Sequence, residues 1–190
     1  MLLTALNWQT IVSYQKQYNN EDIIGKITIK DTNIDEIVTK TRDNAFYLNH
    51  SLTKENDIKG SVFADYRINL YNAKKIILYG HNSKKYEASF KDLEKYLDED
   101  YYLNHKYINL LTKLYNRTYE IFSVAIYKND YPYLKTQFNK DTWLIHLKQL
   151  KAKSLYDTKV LVDDDDEILV LQTCSKVYDN SFLVISAKLR

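Results

Sequence analysis

The sequence predicts a mainly β protein with helices, folded as a single barrel or sandwich. About eight short stretches rich in β-branched and aromatic residues are separated by turn residues, whereas only two segments show clear helical periodicity. Neither an internal repeat nor a Gly/Ser-rich linker divides the 190 residues. A chain of this length can bury a sizeable core, so one domain with many strands is expected.

The first half begins with a helix and continues with strands. Trp8, Ile11 and Val12 recur at helical spacing, which predicts an amphipathic helix over residues 5–18. Residues 31–33 favour a turn, since short polar side chains hydrogen-bond to the neighbouring backbone. Strands are predicted over residues 23–29, 34–38, 60–65 and 75–80, and helical pieces over 45–49 and around Phe90, Leu93 and Leu97.

The second half combines the longest strand with the clearest helix. Both alternating faces of residues 117–127 are mostly apolar, so this strand is expected to be covered on each side. Trp143, Leu147 and Leu150 predict a helix that Asn139 or Asp141 can cap. A helical turn is predicted over 101–105, and further strands over 107–111, 167–174 and 181–189.

Composition excludes several functions. A net charge of +2 with interspersed lysines favours an ordinary solvated surface and gives no field for nucleic acid. The 18 tyrosines would stack on single-stranded nucleic acid only beside a basic groove, so strands and core margins account for them better. No Cys/His cluster suggests zinc, and residues 163–166 are interpreted as an acidic turn, with calcium as the alternative. We predict no metal and no cofactor.

No stretch reaches the ~20 apolar residues that cross a bilayer. Residues 1–6 are too short for the ~7–15-residue apolar core of a signal peptide and lack a preceding basic segment. The chain as given is therefore expected to be soluble.

Two reactive side chains each follow a predicted strand. Cys174 is the only cysteine and ends the strand that starts near Glu167, and His81 follows the strand over 75–80. A thiol is a good nucleophile only as thiolate, and a nearby imidazolium can hold it in that form. We therefore hypothesise a Cys174–His81 pair for acyl transfer. The alternative is a buried, inert cysteine and a structural histidine.

Four segments in the same order resemble the signatures of class B sortases. They are Gly60-Ser-Val-Phe-Ala-Asp-Tyr-Arg67, Tyr79-Gly80-His81-Asn82, Tyr133-Leu-Lys-Thr-Gln-Phe138 followed by a helix and Lys153-Ser-Leu-Tyr156, and Leu171-Gln172-Thr173-Cys174. The resemblance covers about residues 20–190. It implies a closed eight-stranded barrel over 21–190, with an inserted helix before the cysteine strand, and an N-terminal helical segment over 1–20 that follows a removed membrane anchor.

The resemblance also implies the chemistry. Cys174 would attack the carbonyl after the Thr of a sorting signal like Asn-Pro-x-Thr-x, and His81 would protonate the leaving amine. The partners would be that surface-protein peptide and a peptidoglycan amine, at the outer face of a Gram-positive membrane, with a monomeric enzyme. The groove would be lined by Tyr79, Tyr133, Leu134, Thr173 and Ile68.

One part of the family pattern is missing. The arginine that faces the cysteine in sortases falls on Phe182, and no arginine occurs between Ser175 and Leu189. A backbone N–H, Lys176 or Arg67 could serve instead, or activity could be weakened. The other departures are Ile68 in place of an asparagine and Gln172 in place of a frequent serine, which leave the sorting signal open. The remaining histidines, His50, His105 and His146, are interpreted as surface residues.

Two other functions compete with the transpeptidase. A sortase-fold protein with Phe182 in place of arginine could bind sorting signals with weak or no turnover. A structural barrel with an inert Cys174 is the second alternative. Thiol reactivity and peptide cleavage distinguish the three.

Overall fold

The computed structural model describes residues 2–83 and 85–190, so Met1 and Lys84, which belong to the predicted N-terminal segment and barrel, lie outside it. The helices are α1 (Leu2–Gln17), α2 (Glu99–Asn104) and α3 (Lys140–Ala152), with short 3-10 helices at Phe46–Leu48, Lys91–Leu97 and Pro132–Leu134. The strands are β1 (Ile23–Thr28), β2 (Asp35–Thr39), β3 (Val62–Ala64), β4 (Lys75–Tyr79), β5 (Tyr107–Thr112), β6 (Asn116–Lys128), β7 (Ile168–Cys174) and β8 (Ser181–Leu189).

The eight strands close into a barrel in the order β1-β2-β3-β4-β7-β8-β6-β5. The opening hairpin β1–β2 is antiparallel, and β5 pairs with β1 to complete the circle. Two neighbours are parallel, β2 with β3 and β4 with β7. The parallel β4–β7 pair matters most, because both strands end at the same rim of the barrel. The predicted eight-stranded closed barrel is confirmed.

The longest strand, β6, is covered on both sides, as its two apolar faces predicted. Val124 and Ala125 are consecutive residues that point to opposite faces, and they are 0% and 1% exposed. On the outer side α3 packs against it, where Ser123 donates to the Leu150 carbonyl at 2.7 Å. The inserted helix thus turns an outer barrel face into a second layer of core.

Helix α3 begins where its sequence predicted. Asn139 is the N-cap: its side chain accepts from the Thr142 backbone N–H at 2.8 Å, and Thr142 completes a capping box. The inward face buries Trp143, Leu147 and Leu150. His146 lies on the same face, three residues after Trp143, and is only 3% exposed. The interpretation of His146 as a surface residue was therefore wrong.

Three further details differ from the sequence interpretation. Trp8 is 50% exposed, with Lys113 Nζ 4.8 Å from its ring centroid, so α1 packs mainly through the fully buried Ile11. The helix after Phe90 is 3-10, and it ends at Asp98, whose side chain caps α2. Lys75 is only 4% exposed, which makes it an exception to the solvated lysines.

None of the helices described combines the length and apolar character that a bilayer span needs. Two lysines form ion pairs with the acidic turn at 163–166. Lys188 pairs with Asp166 at 2.9 Å, and Lys140 pairs with Asp164 at 3.4 Å.

Candidate active site

The barrel topology brings His81 and Cys174 to adjacent strand ends. In the parallel β4–β7 pair Tyr79 is the register partner of Gln172. His81 lies two residues after Tyr79, and Cys174 lies two residues after Gln172. The two therefore occupy equivalent positions on neighbouring strands, whose backbones are about 4.8 Å apart. Ninety-three residues of sequence separate the two, and only the strand register makes them neighbours.

Hydrogen bonds beyond the last ladder pair continue this alignment. The Gly80 N–H donates to the Gln172 carbonyl at 3.2 Å, and Thr173 Oγ1 donates to the Gly80 carbonyl at 2.7 Å. Asn82 Nδ2 then donates to the Cys174 carbonyl at 3.1 Å. The histidine loop is therefore tied to the cysteine strand on both sides of His81.

Gly80 is needed here because of a close approach. A Cβ on Gly80 would lie 2.6 Å from Cδ2 of Phe90, whose ring is fully buried. The absence of a side chain at Gly80 thus lets the backbone lie against the Phe90 ring just before His81.

The Leu48 carbonyl orients the imidazole. His81 Nε2 lies 2.6 Å from this oxygen, and a carbonyl can only accept, so Nε2 carries a proton. The other nitrogen, Nδ1, is then the one that can take up or release a proton. A base oriented by a third group is the usual arrangement around an activated nucleophile.

Cys174 is an exposed free thiol. Burial of the surrounding strand end nonetheless raises the pKa of its sulfur above the ordinary value. Burial therefore disfavours the thiolate at Cys174, and a thiolate held by an imidazolium stays a hypothesis. The exposure of Cys174 contradicts the alternative of a buried cysteine, and the reactivity of the thiol stays a prediction.

Phe182 lies directly across from Cys174. The antiparallel β7–β8 register pairs these two residues, and the β6–β8 register pairs Phe182 with Tyr127. Tyr131 packs edge-on against Phe182 with ring centroids 5.4 Å apart, and Tyr133 lies 4.7 Å from Tyr127. An aromatic cluster therefore occupies the side of the thiol where the family places its arginine.

The cations considered as substitutes already have partners. Arg67 donates through Nε and Nη2 to the Asp65 carboxylate, at 2.9 and 2.7 Å. Lys176 pairs with Glu94 at 2.6 Å. Burial alone would raise the pKa of Asp65, but hydrogen bonds from Arg67 and Tyr79 outweigh it and lower the pKa to about 2. The Arg67 pair is thus a firmly charged, structural unit.

Most predicted groove residues are buried. Tyr133 is fully buried, Thr173, Ile68 and Tyr79 are 1%, 4% and 8% exposed, and Leu134 is half-buried. Tyr79 donates its hydroxyl to Asp65 at 2.7 Å, and Thr173 holds Gly80. Only Tyr133 among these has a buried hydroxyl without a partner in the described part of the chain. Their contact with substrate stays a prediction.

Sequence reasoning missed two groups near the site. Asp65 and Asn82 lie inside the recognised motifs but received no role, although they hold Arg67 and the cysteine strand. Lys75 and His146 contact each other at 2.9 Å, and nothing in local sequence marks a buried lysine 71 positions from its histidine partner. Across residues 2–83 and 85–190 no three His, Cys, Asp or Glu side chains form a group able to hold a metal.

A cavity of about 740 Å³ lies at the other end of β4. It is bordered by Arg67, Ile68, Lys75, Phe138 and Trp143 among others. Cys174 and His81 do not line it, so it is separate from the thiol.

Comparison with known proteins agrees with this geometry. The Sortase domain family matches residues 27–190. Sortase B of Listeria monocytogenes is 38% identical over 174 residues, which are 90% of this chain and 70% of that protein. The Staphylococcus aureus sortase B–substrate complex superposes with a TM-score of 0.88 at 31% identity, over 96% of this chain and 85% of that one. A sortase B complexed with triglycine gives 0.84 at 30% identity, over 98% and 93%.

The chain therefore belongs to the sortase family, and it is a cysteine transpeptidase that sorts proteins to the cell wall. Within the family it is similar to the sortases B, which confirms the resemblance that its motifs carried.

Proposed function

We propose that this enzyme cleaves a sorting signal resembling Asn-Pro-x-Thr-x after its Thr and transfers the protein to a peptidoglycan amine. The observation that carries the proposal is the parallel β4–β7 register, which sets His81 beside Cys174 at one rim. The substrate complex and the triglycine complex of similar sortases B support a peptide donor and an amine acceptor.

The reaction has two halves. The Cys174 thiol passes its proton to His81 Nδ1, and the sulfur attacks the Thr carbonyl carbon to form a tetrahedral oxyanion. As the C–N bond breaks, His81 returns the proton to the leaving amine and a thioester remains. The acceptor amine then attacks the thioester, His81 takes its proton, and as the C–S bond breaks His81 passes that proton to the departing sulfur, which regenerates the thiol.

The raised pKa of the Cys174 thiol is consistent with this order of reaction steps. Because burial disfavours the Cys174 thiolate, we assign the proton transfer to His81 to the step in which the peptide is attacked. The Leu48 carbonyl keeps Nδ1 available for it.

The site is poorly equipped to stabilise the oxyanion. Phe182 offers no donor, and both Arg67 and Lys176 are committed to carboxylates. This observation favours a second candidate, a sortase-fold protein that binds sorting signals with slow turnover. Losing one oxyanion donor costs about 10²–10³ in rate, which leaves a slow enzyme rather than an inactive one.

We also propose that the enzyme works as a monomer at the outer face of the cell membrane, where its peptide and amine partners meet. Cell-wall sorting by the family supports this location.

A peptide library read by mass spectrometry tests the function. We expect cleavage after Thr in a subset of Asn-Pro-x-Thr-x peptides, and an amide product when triglycine is added. Cys174→Ala and His81→Ala should abolish both. His105→Ala is the matched control and should leave cleavage unchanged, since the His105 ring bonds to the Tyr101 carbonyl at 2.8 Å and stacks on the Tyr101 ring, with no contact to Cys174 or His81 among the described residues.

A methanethiosulfonate reagent provides the second measurement. Rapid labelling of Cys174 without cleavage of any peptide would favour the binding protein. Cleavage that survives in Cys174→Ala would contradict the proposed nucleophile.

A further inference from the structure

Lys75 is a buried lysine whose three N–H groups all have acceptors. Its Nζ lies 2.5 Å from the Tyr133 carbonyl, 3.0 Å from the Lys135 carbonyl and 2.9 Å from His146 Nε2. An ammonium has three donors, and both carbonyls can only accept. In the ammonium form of Lys75, His146 Nε2 is the third acceptor and the imidazole proton sits on Nδ1.

Burial disfavours a positive charge on both Lys75 and His146. Burial lowers the pKa of His146 to about 3, with smaller effects of the Lys75 and Lys135 charges, so the imidazole stays neutral. Burial also lowers the pKa of Lys75 to about 7, aided by the charge of Arg67 and opposed by Asp65. The nearby carboxylate, Asp65, is already paired with Arg67. Lys75 is thus no member of an ordinary ion pair.

The segment that Lys75 holds covers the face of the sheet that carries the thiol. Three successive carbonyls are held by cations: Tyr133 and Lys135 by Lys75, and Leu134 by Arg67 Nη2 at 3.0 Å. The Tyr133 ring packs on Tyr127, in the row of the sheet that contains Cys174.

The Tyr133 hydroxyl has no partner. Its ring is fully buried and its oxygen makes no hydrogen bond within the described residues. Burial, then the charges of Tyr131, Tyr127 and Cys174, raises the pKa of Tyr133, so the phenol remains a donor. A buried donor left unpaired costs free energy that a ligand carbonyl can recover.

We propose that Lys75, supported by His146, is a positioning residue for transpeptidation: it fixes Tyr133 so that the free hydroxyl can donate to a carbonyl oxygen of the peptide at Cys174. This role rests on the proposed function. Burial of the Lys75 side chain costs desolvation free energy. The contacts that Lys75 makes in its buried position also fix the position of the Tyr133 hydroxyl.

Kinetics of a double-mutant cycle test the role. Lys75→Met keeps the length of the side chain but removes the three donors, and we expect kcat/KM for the cleaved peptide to fall about 10- to 100-fold. In a Tyr133→Phe background the same change should cost less than about threefold, since the hydroxyl it positions is gone. Lys75→Arg should recover part of the loss.

Lys74→Met is the matched control. Lys74 precedes Lys75 and donates to the Asp164 carbonyl at 2.8 Å, away from the Tyr133 segment. It should leave kcat/KM unchanged. Equal losses from Lys75→Met in the wild-type and Tyr133→Phe backgrounds would overturn the proposal, as would an unaffected Lys75→Met.

Hydrogen exchange separates this inference from the proposed function. Amides of residues 133–138 should exchange faster in Lys75→Met than in Lys74→Met, with the barrel strands unchanged. If wild-type protein cleaves no peptide, the proposed function fails, yet faster exchange still supports the positioning. Equal exchange in the two variants overturns it.

Discussion

Restoring an arginine opposite the nucleophile tests the proposed weak oxyanion site. Phe182 and Cys174 are direct register partners on β8 and β7, where Cα atoms lie about 4.5–5.5 Å apart and side chains share a face. A Phe182→Arg guanidinium can therefore reach the oxygen that becomes negative during attack on the peptide. Glu94 is already paired with Lys176 at 2.6 Å and is not available to capture it.

The expected gain follows from two opposing effects. A well-placed oxyanion donor contributes about 10²–10³ in rate, and since Phe182 is half-buried we expect about 10- to 100-fold in kcat. The change also removes the edge-on contact with Tyr131, worth about 0.5–1.5 kcal/mol. Unfolding should then occur about 2–4 °C lower per kcal/mol.

A quenched fluorescent peptide with the best library sequence measures kcat and KM. Phe182→Leu is the matched control, because it removes the aromatic contact without adding a donor. We expect Phe182→Leu to be no faster than wild type. Equal rates for the arginine and leucine variants would refute the reasoning and show that another group already stabilises the oxyanion.

Three further predictions concern the thiol, the buried carboxylate and the glycine. Because burial raises the pKa of Cys174, the rate of its alkylation should increase with pH with an apparent pKa above that of free cysteine in the same assay, and an apparent pKa below that of free cysteine would contradict this. Asp65 has a pKa of about 2 when folded and about 3.9 when unfolded, so it contributes about 2–3 kcal/mol that is present above about pH 4 and lost as the pH falls through about 2. Urea unfolding of Asp65→Asn should lack this acid dependence, and an unchanged dependence would exclude the carboxylate as its source. Gly80→Ala should cost about 1–3 kcal/mol by collision with Phe90 and should lower cleavage further by displacing His81, whereas unaltered stability and cleavage would show that the ring can move.

Local pattern predicted the elements because their signals are local. Alternation and apolar runs marked the strands of the barrel, and the spacing of Trp143, Leu147 and Leu150 marked α3. Side-chain capping depends on neighbours three residues apart, so Asn139 was one of two residues expected to start that helix. Local pattern gave the wrong prediction for His146, because it does not show that Lys75, which is distant in the chain, contacts this histidine in the interior.

The motifs predicted the residues of the active site, which the hydrophobic pattern could not do. Their order indicated His81, Cys174 and the missing arginine at Phe182. They could not indicate that Phe182 stands in an aromatic cluster, or that Arg67 and Lys176 are held by Asp65 and Glu94.

By itself, the sequence determined the eight strands, the helix α3, the family and the identity of the reactive side chains, because each of these depends on residues that are near one another in the chain or on short motifs. Tertiary structure alone decided the rest. The parallel β4–β7 register set Cys174 and His81 at the ends of neighbouring strands, and the fold buried Lys75 among acceptors drawn from distant segments. Such contacts arise only when strands and loops far apart in the chain meet in a common core, and neither composition nor periodicity records which of them will meet.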